Sequence, residues 1–460
     1  MPTRRLASCH ARPRNTEASD GRTRQVRERV TAEESDDAVT KAIERRRRAV
    51  EAEWNDLGAV VLIGAGDPIP IPGRADRVYP FVAHGEYFYL TDRQRAGAVL
   101  AYDPQEGWSE FKPVIGADER LWSGEVSDEA ATPVSELAPW LEKRRGRRVA
   151  QLGAPVPNTP SDATVAGELR TRMDRVRRRK DAIELARMRG AADATRAGFA
   201  AAVPFIAPGI SERALQIEIE AGFLRHGADT VAYDSIVASG PNAAVLHHLP
   251  TQRLSGAGEL VLIDAGAEYR GYDCDVTRTY PVSGDFSAEQ ADVYTLVLRV
   301  QRAAIERCRA GVEYRDIHLA AALDVAQGLV DAGFLRGNAA DLVEQGASAV
   351  FFPHGIGHMV GLGVRDAGGY LPGRSRSEAA ALRFLRIDLP LEPGHVVTIE
   401  PGIYFHSHVL DDPEIRRQYR DTVAWNRVDK LRGFGGIRIE DNVLILGGGN
   451  EVLTRVIPKE

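Results

Sequence analysis

A chain of 460 residues is longer than one hydrophobic core usually serves, so two domains plus tails are expected. Its 43% hydrophobic and 27% charged residues are those of an ordinary globular protein, and a net charge of −6 removes any global reason to expect nucleic acid as a partner. Cys9, Cys274 and Cys308 form no C-x-x-C pair, which argues against a disulfide framework or a thiolate zinc site and fits a reducing, cytoplasmic compartment; no run of about 18 apolar residues is present to span a membrane.

In chain order, residues 1–48 are polar and basic. They lack the apolar stretch of a secretory leader and are expected to form a disordered tail, with the RRRR run at 45–48 on the exposed face of a starting helix. From Ala59, AVVLIGAGDPIPIPG reads as a buried strand and a glycine turn. It lacks the third glycine of a dinucleotide fingerprint, and Pro68, Pro70 and Pro72 forbid the helix that would receive a pyrophosphate. GEYFYLTD and AGAVLAYDP read as strands, and TPVSELAPWLEKRRGRRVAQLG as a helix leading to another, so residues 49–165 are expected as an N-terminal α/β domain without a catalytic constellation.

Residues 166–200 are rich in helix formers and are expected as one long connecting helix, its RVRRRK run a solvated face. Helices at 211–226, 287–309 and 315–333 then alternate with strand pairs that end in charged or histidine residues. VLIDAGAEYRGYDCDVTRTYPV, from Val261 to Val282, reads as a β-hairpin. If its turn is centred on Tyr269 and Arg270, with Gly271 supplying backbone freedom, Asp264 and Asp275 stand directly opposite each other, roughly 4.5–5.5 Å apart at Cα. Two like charges so placed repel unless a cation lies between them, so a metal ion is one reading and a surface pair the other.

FFPHGIGHMVGLGVRDAGGY places His354 and His358 four residues apart. Gly355 stands where a zincin helix needs its glutamate, and Gly357 and Gly361 also oppose a helix, so a loop or strand end presenting imidazoles is expected. VVTIEPGIYF ends a strand on Glu400 before a Pro401-Gly402 turn. In GGIRIEDNVLIL, Arg438 and Glu440 share one face of a strand. Four strand-borne carboxylates with one imidazole suit hard divalent ions such as manganese or magnesium, and they can neutralise two of them, about 3.5–4 Å apart.

IDAG, DVTRT, HGIGH, TIEPGIYF and GGIRIEDN follow one another in the order and spacing of the pita-bread metallopeptidases. The chain resembles their proline-specific branch, aminopeptidase P and prolidase, and LRFLRIDLPLEPG and RGFGGIRIEDNVLI look most like prolidase. The likeness is strong over residues 175–460 and loose before them. It implies an α/β (α+β) fold with a C-terminal pita-bread catalytic domain at 175–460 and a smaller creatinase-like N-terminal domain.

The resemblance further implies that Asp264, Asp275, His358, Glu400 and Glu440 hold two divalent ions, usually manganese, with cobalt or zinc as alternatives. Asp275 and Glu440 would bridge them, and Glu400 would also act as general base. His247 is implied to stabilise charge at the scissile carbonyl, with His248 in a core or surface role. Tyr233 would lie beside the metals, His354 in the substrate pocket, and Arg386 on the free carboxylate of a dipeptide, with Arg438 near that end. Arg365 departs from the family, which usually has histidine there. Arginine is longer, fork-shaped and permanently charged, so it either holds a substrate carboxylate beside Arg386 or changes the residues preferred around the bond. The implied activity is hydrolysis of the Xaa-Pro bond of dipeptides by a metal-activated bridging water, in a homodimer. Aminopeptidase P action on longer peptides, or a specificity redirected by Arg365, is the alternative.

Overall fold

The helix Asp36–Trp54 opens the described part of this computed structural model, which comprises residues 34–74, 77–124 and 132–459. Ser35 caps it by accepting from the Ala38 N–H, and Ala42, Arg46, Val50 and Trp54 form its buried stripe. The expected tail is therefore helical from Asp36 onward, and its residues 1–33 lie outside the described part. Arg46 is not on an exposed face either. It is 4% accessible, its Nε donates to Asp181 Oδ2 at 2.8 Å, and its guanidinium lies 4.9 Å from the Tyr89 ring centre. The helical period splits the arginine run, turning Arg46 inward to an acid while Arg45 and Arg48 stay exposed.

Five strands pair in the order Thr132–Pro133, Gly107–Lys112, Val99–Asp103, Val60–Gly64, Val149–Gly153, antiparallel in the middle and parallel at both outer pairs. Gly64, the last residue of its strand, has a packing reason: a Cβ there would sit 2.3 Å from the Ala154 carbonyl oxygen. GEYFYLT, expected as a strand, is the helix Gly85–Thr91. His84 Nδ1 accepts from the Glu86 N–H at its start, and Tyr87, Phe88, Tyr89 and Leu90 are all buried, so packing around the turn overrides the β preference of the aromatic residues.

The single connecting helix is instead two, Ala163–Arg178 and Ala182–Ala202. Arg179 is extended between them, and Asp181 starts the second with a capping box: its side chain accepts from the Glu184 N–H while Glu184 accepts from the Asp181 N–H. The RVRRRK run is not uniformly solvated. Arg177 Nη2 and Lys180 Nζ each lie 2.7 Å from the buried Asp366 carboxylate, whereas Arg175 and Arg179 are exposed.

The helices Glu212–Arg225, Ala288–Arg307 and Tyr314–Asp331 fall where expected. They cover short sheets: Ile236–Ser239, Leu260–Asp264 and Thr277–Pro281 in one, Val396–Ile399 with Asp441–Leu446 and Gly449–Val452 in another, and the pair Gly402–Phe405 with Gly435–Arg438. The period of two sorts these strands. Val261, Ile263, Val397, Ile399, Ile403, Ile437 and Ile439 are fully buried in the helix-backed cores, which leaves Asp264, Glu400, Tyr404, Arg438 and Glu440 to the opposite side. GGIRIEDNVLIL is not one strand: its first part pairs with Gly402–Phe405 and its second with Val396–Ile399.

The hairpin register also differs from expectation. Tyr269 pairs with Tyr272, so the turn is Arg270–Gly271, with φ of 50° and 80°. Positive φ at both central residues is the two-residue turn whose twist matches the flanking strands. Asp264 therefore stands opposite Thr277, not Asp275. No helix among the described residues is long and apolar enough to cross a membrane.

Candidate metal centre

Asp264 and Asp275 meet on the diagonal of the hairpin, two residues off the direct pairing and on the same face. The Tyr233 hydroxyl lies 2.6 Å from Asp264 Oδ1 and 2.6 Å from Asp275 Oδ1. One hydroxyl proton cannot serve two carboxylates at once, so the pair needs a further proton or a cation. Glu440 joins through Thr277, whose Oγ1 donates to Glu440 Oε2 at 2.7 Å. Asn442 holds the Asp275 backbone on both sides, accepting from its N–H at 3.1 Å and donating to its carbonyl at 2.7 Å.

His358 approaches from the glycine-framed loop expected for it. Its Nδ1 donates to the Met359 carbonyl at 2.9 Å, leaving Nε2 3.4 Å from Asp275 Oδ2 and 3.9 Å from Glu400 Oε1. With Nδ1 committed to the backbone, Nε2 faces two anions, an arrangement that calls for positive charge there, either a proton on the ring or a cation; this is the posture of a ligand tied down by its second nitrogen. Ligand atoms of Asp275, His358 and Glu440 all lie within 4.8 Å of one another.

Charge repeats the argument. Burial, joined by repulsion from Asp275, Glu400 and Asp264, holds Glu440 well above the carboxylate range. Burial pushes Glu400 up to about 7, against the pull of His358 and Arg438. Asp264 is raised by burial despite Arg438, whose Nη2 donates to its Oδ2 at 2.6 Å. Burial works against a charged His358, yet Asp275 and Glu400 outweigh it and keep the ring above its ordinary value. Three buried carboxylates and the half-buried Glu400 face one buried guanidinium, and the donor set fits divalent cations.

All eleven residues singled out in the sequence line one cavity of about 600 Å³: the four acids and one imidazole above, Tyr233, His247, His354, Arg365, Arg386 and Arg438. His247 is held below its ordinary pKa by burial, then by Arg365 and Arg438, so it is neutral at pH 7. His354 is engaged at both nitrogens, with Tyr404 OH at 2.9 Å and the Gly355 carbonyl at 2.8 Å, and burial pushes it down to about 3. His248 points away from the cavity centre to Glu212, 2.9 Å from Oε2. Among the described residues Arg365 and Arg386 have no hydrogen-bonded or ion-paired partner, and the field of Arg365 adds to burial in lowering Arg386.

Sequence reasoning passed over Tyr404, Thr277 and Asn442. Tyr404 accepts from Arg438 Nη1 at 2.9 Å and hands its own proton to His354; Thr277 accepts from Arg438 Nε at 3.1 Å. Each was visible by the period of two: Asn442 follows Glu440, Thr277 follows Asp275, and Tyr404 lies four after Glu400.

A carboxylate and histidine cluster whose donors fit divalent cations, lining a cavity of about 600 Å³ among helix-backed sheets, is the kind of site a metallohydrolase has. The profile described as metallopeptidase family M24 matches residues 186–446. The chain is 34% identical over 410 residues to the probable Xaa-Pro aminopeptidase PEPP of Fusarium vanettenii, covering 83% of this chain and 86% of that one. It superposes on the structure of Pseudomonas aeruginosa aminopeptidase PepP with a TM-score of 0.76 and 30% identity, over 91% of this chain and 95% of that one. Zinc-substituted E. coli aminopeptidase P in complex with product gives 0.76 and 29%, over 91% and 96%. The chain belongs to metallopeptidase family M24, and its fold is the pita-bread arrangement of mixed α and β structure.

Proposed function

We propose that this metallopeptidase is an Xaa-Pro aminopeptidase, releasing the residue before proline from peptides longer than two residues. The observation that supports this most is the convergence of Asp264, Asp275, His358, Glu400 and Glu440 on one cavity, in a chain a third identical to relatives named for that activity. Those five side chains would hold two divalent ions, manganese foremost, with cobalt or zinc as alternatives. Such ions supply Lewis acidity and a nucleophile at neutral pH.

Glu400 carries the proton: its carboxylate takes it from the attacking water and delivers it to the proline nitrogen as the C–N bond breaks. Neutral His247 donates a hydrogen bond to the carbonyl oxygen as charge develops there. Arg438, held by Asp264, Thr277 and Tyr404, keeps the carboxylates oriented and balances part of their charge. Tyr404, with its own proton spent on His354, fixes that ring as cavity wall. The bond before proline is a tertiary amide without N–H, so a site that grips the carbonyl and the ring suits it.

A second reading, an Xaa-Pro dipeptidase, is favoured by Arg365 and Arg386, which line the cavity with no ion-paired acid among the described residues and fit a free carboxylate. Free buried thiols at Cys274 and Cys308 accord with a cytoplasmic setting, and a homodimer is part of the proposal. The test is hydrolysis of Xaa-Pro-Xaa tripeptides, Xaa-Pro dipeptides and Xaa-Leu dipeptides by chelated protein before and after manganese is restored. Metal-dependent release from the tripeptide, lost by about 10²-fold or more in Glu400→Gln, is expected. Cleavage confined to the dipeptide would replace this reading by the second, and no cleavage of any would remove both.

A further inference from the structure

Outside the metal cluster, one buried carboxylate is surrounded more completely than any ligand. Glu212 is 0% exposed at the first position of the helix Glu212–Arg225. Its Oε1 accepts from the Ser239 N–H at 2.9 Å, the Ser239 hydroxyl at 3.0 Å and Asn242 Nδ2 at 2.8 Å. Its Oε2 accepts from His248 Nε2 at 2.9 Å, the Thr251 N–H at 3.0 Å and the Thr251 hydroxyl at 2.7 Å. These donors span a single segment, residues 239–251, which leaves the sheet at Ser239 and carries Leu246, His247 and Leu249 into the cavity. Between Ala244 and Thr251 this segment has neither helix nor strand to hold it.

We propose that Glu212 is a positioning residue for the reaction: its carboxylate staples the 239–251 segment at four points and thereby fixes His247 against the scissile carbonyl. This rests on the role given to His247 above. His248, bonded to Glu212, is the covalent neighbour of His247, so a shift at the staple reaches the cavity through one peptide unit. A helix begun on Glu212 sets the carboxylate in the field of its own N-terminus, and the donors hold the group ionised, pushed down to about 2 although burial opposes this. Three donors on each oxygen suit an acceptor-only carboxylate, and a glutamine would turn its NH2 toward one of those sets of donors, so a neutral isostere is expected not to replace it.

The test is a double-mutant cycle read in kcat and KM with an Xaa-Pro-Xaa tripeptide on manganese-loaded protein. Glu212→Gln is expected to lower kcat about 10-fold with KM changed less than about twofold, because the carbonyl charge that His247 meets develops in the transition state. In a His247→Ala background the same substitution is expected to cost less than about twofold, and Glu212→Asp to recover part of the loss in the parent. Bound metal per chain stays unchanged in every variant. Equal losses in both backgrounds, or loss of metal, would overturn the proposal by making Glu212 a residue of general stability. Where Glu212→Gln fails to fold, His248→Phe removes one donor, keeps the carboxylate, and is read in the same cycle. A His247→Ala enzyme as active as the parent would instead overturn the His247 reading, and it does so without any Glu212 variant.

Discussion

Arg365 is the side chain where this protein departs most visibly from the pattern its motifs resemble. It shares the cavity with Arg386 and His247, and its charge helps keep His247 neutral. A permanently charged fork beside a second arginine favours substrates that bring an anion, so a tripeptide is expected to exceed its C-terminal amide by about 10-fold in kcat/KM. Arg365→His is expected to narrow that ratio to near one, measured on the same peptide pair; an unchanged ratio would leave Arg365 without a role in binding. The four acids of the candidate site are legible in the sequence because carboxylates on apolar strands are costly and so stand out, whereas Tyr233, His247, Arg365 and Arg386 are singled out only through the family resemblance. What was not legible was their wiring: that Tyr233 bridges Asp264 and Asp275, or that Tyr404 links Arg438 to His354, depends on cross-strand and loop geometry that no local pattern encodes.

At the scale of elements, the break at Arg179–Asp181 does more than separate two helices. Asp181 caps the second helix and pairs with the buried Arg46 of the helix Asp36–Trp54. Asp181→Ala removes a cap and strands a buried cation, so a loss of about 3 kcal/mol is expected, read by chemical denaturation. A loss under about 1 kcal/mol would mean that Arg46 reaches solvent instead. This break was written in the sequence as Asp181 followed three residues later by Glu184, yet helix formers on either side masked it. The hairpin register was missed for a related reason. A glycine was read as flanking the turn, whereas Arg270 and Gly271 are its two central residues, and moving the turn centre by one residue moves every cross-strand partner by two. GEYFYLT failed differently, because aromatic residues packed all round fold as either element and only the surroundings choose.

For the whole molecule, the buried carboxylate cluster couples stability to pH. Asp264, Glu400 and Glu440 carry folded-state pKa values above the ordinary carboxylate range, with Glu400 at about 7. Folded, metal-free protein therefore binds protons more tightly than the unfolded chain. That contribution is complete below the unfolded pKa values and is lost as pH rises through the folded ones, so the melting temperature of chelated protein is expected to fall between about pH 5 and 8. Cations held by these residues would take the place of those protons, and the melting temperature of metal-loaded protein is then expected to hold over the same range. Parallel curves from thermal melts of both forms would argue against cations at these residues.

The tight turn at Arg270–Gly271 also bears on how the protein comes to be folded. It closes a short loop, so Asp264 and Asp275 find each other early and at small entropic cost. Glu400 and Glu440 arrive only when sheets drawn from the far end of the chain have docked. Two of the five candidate ligands are thus brought together locally and the other three, His358 among them, by long-range closure, so divalent ions are expected to speed the last step of refolding and leave the earlier ones untouched.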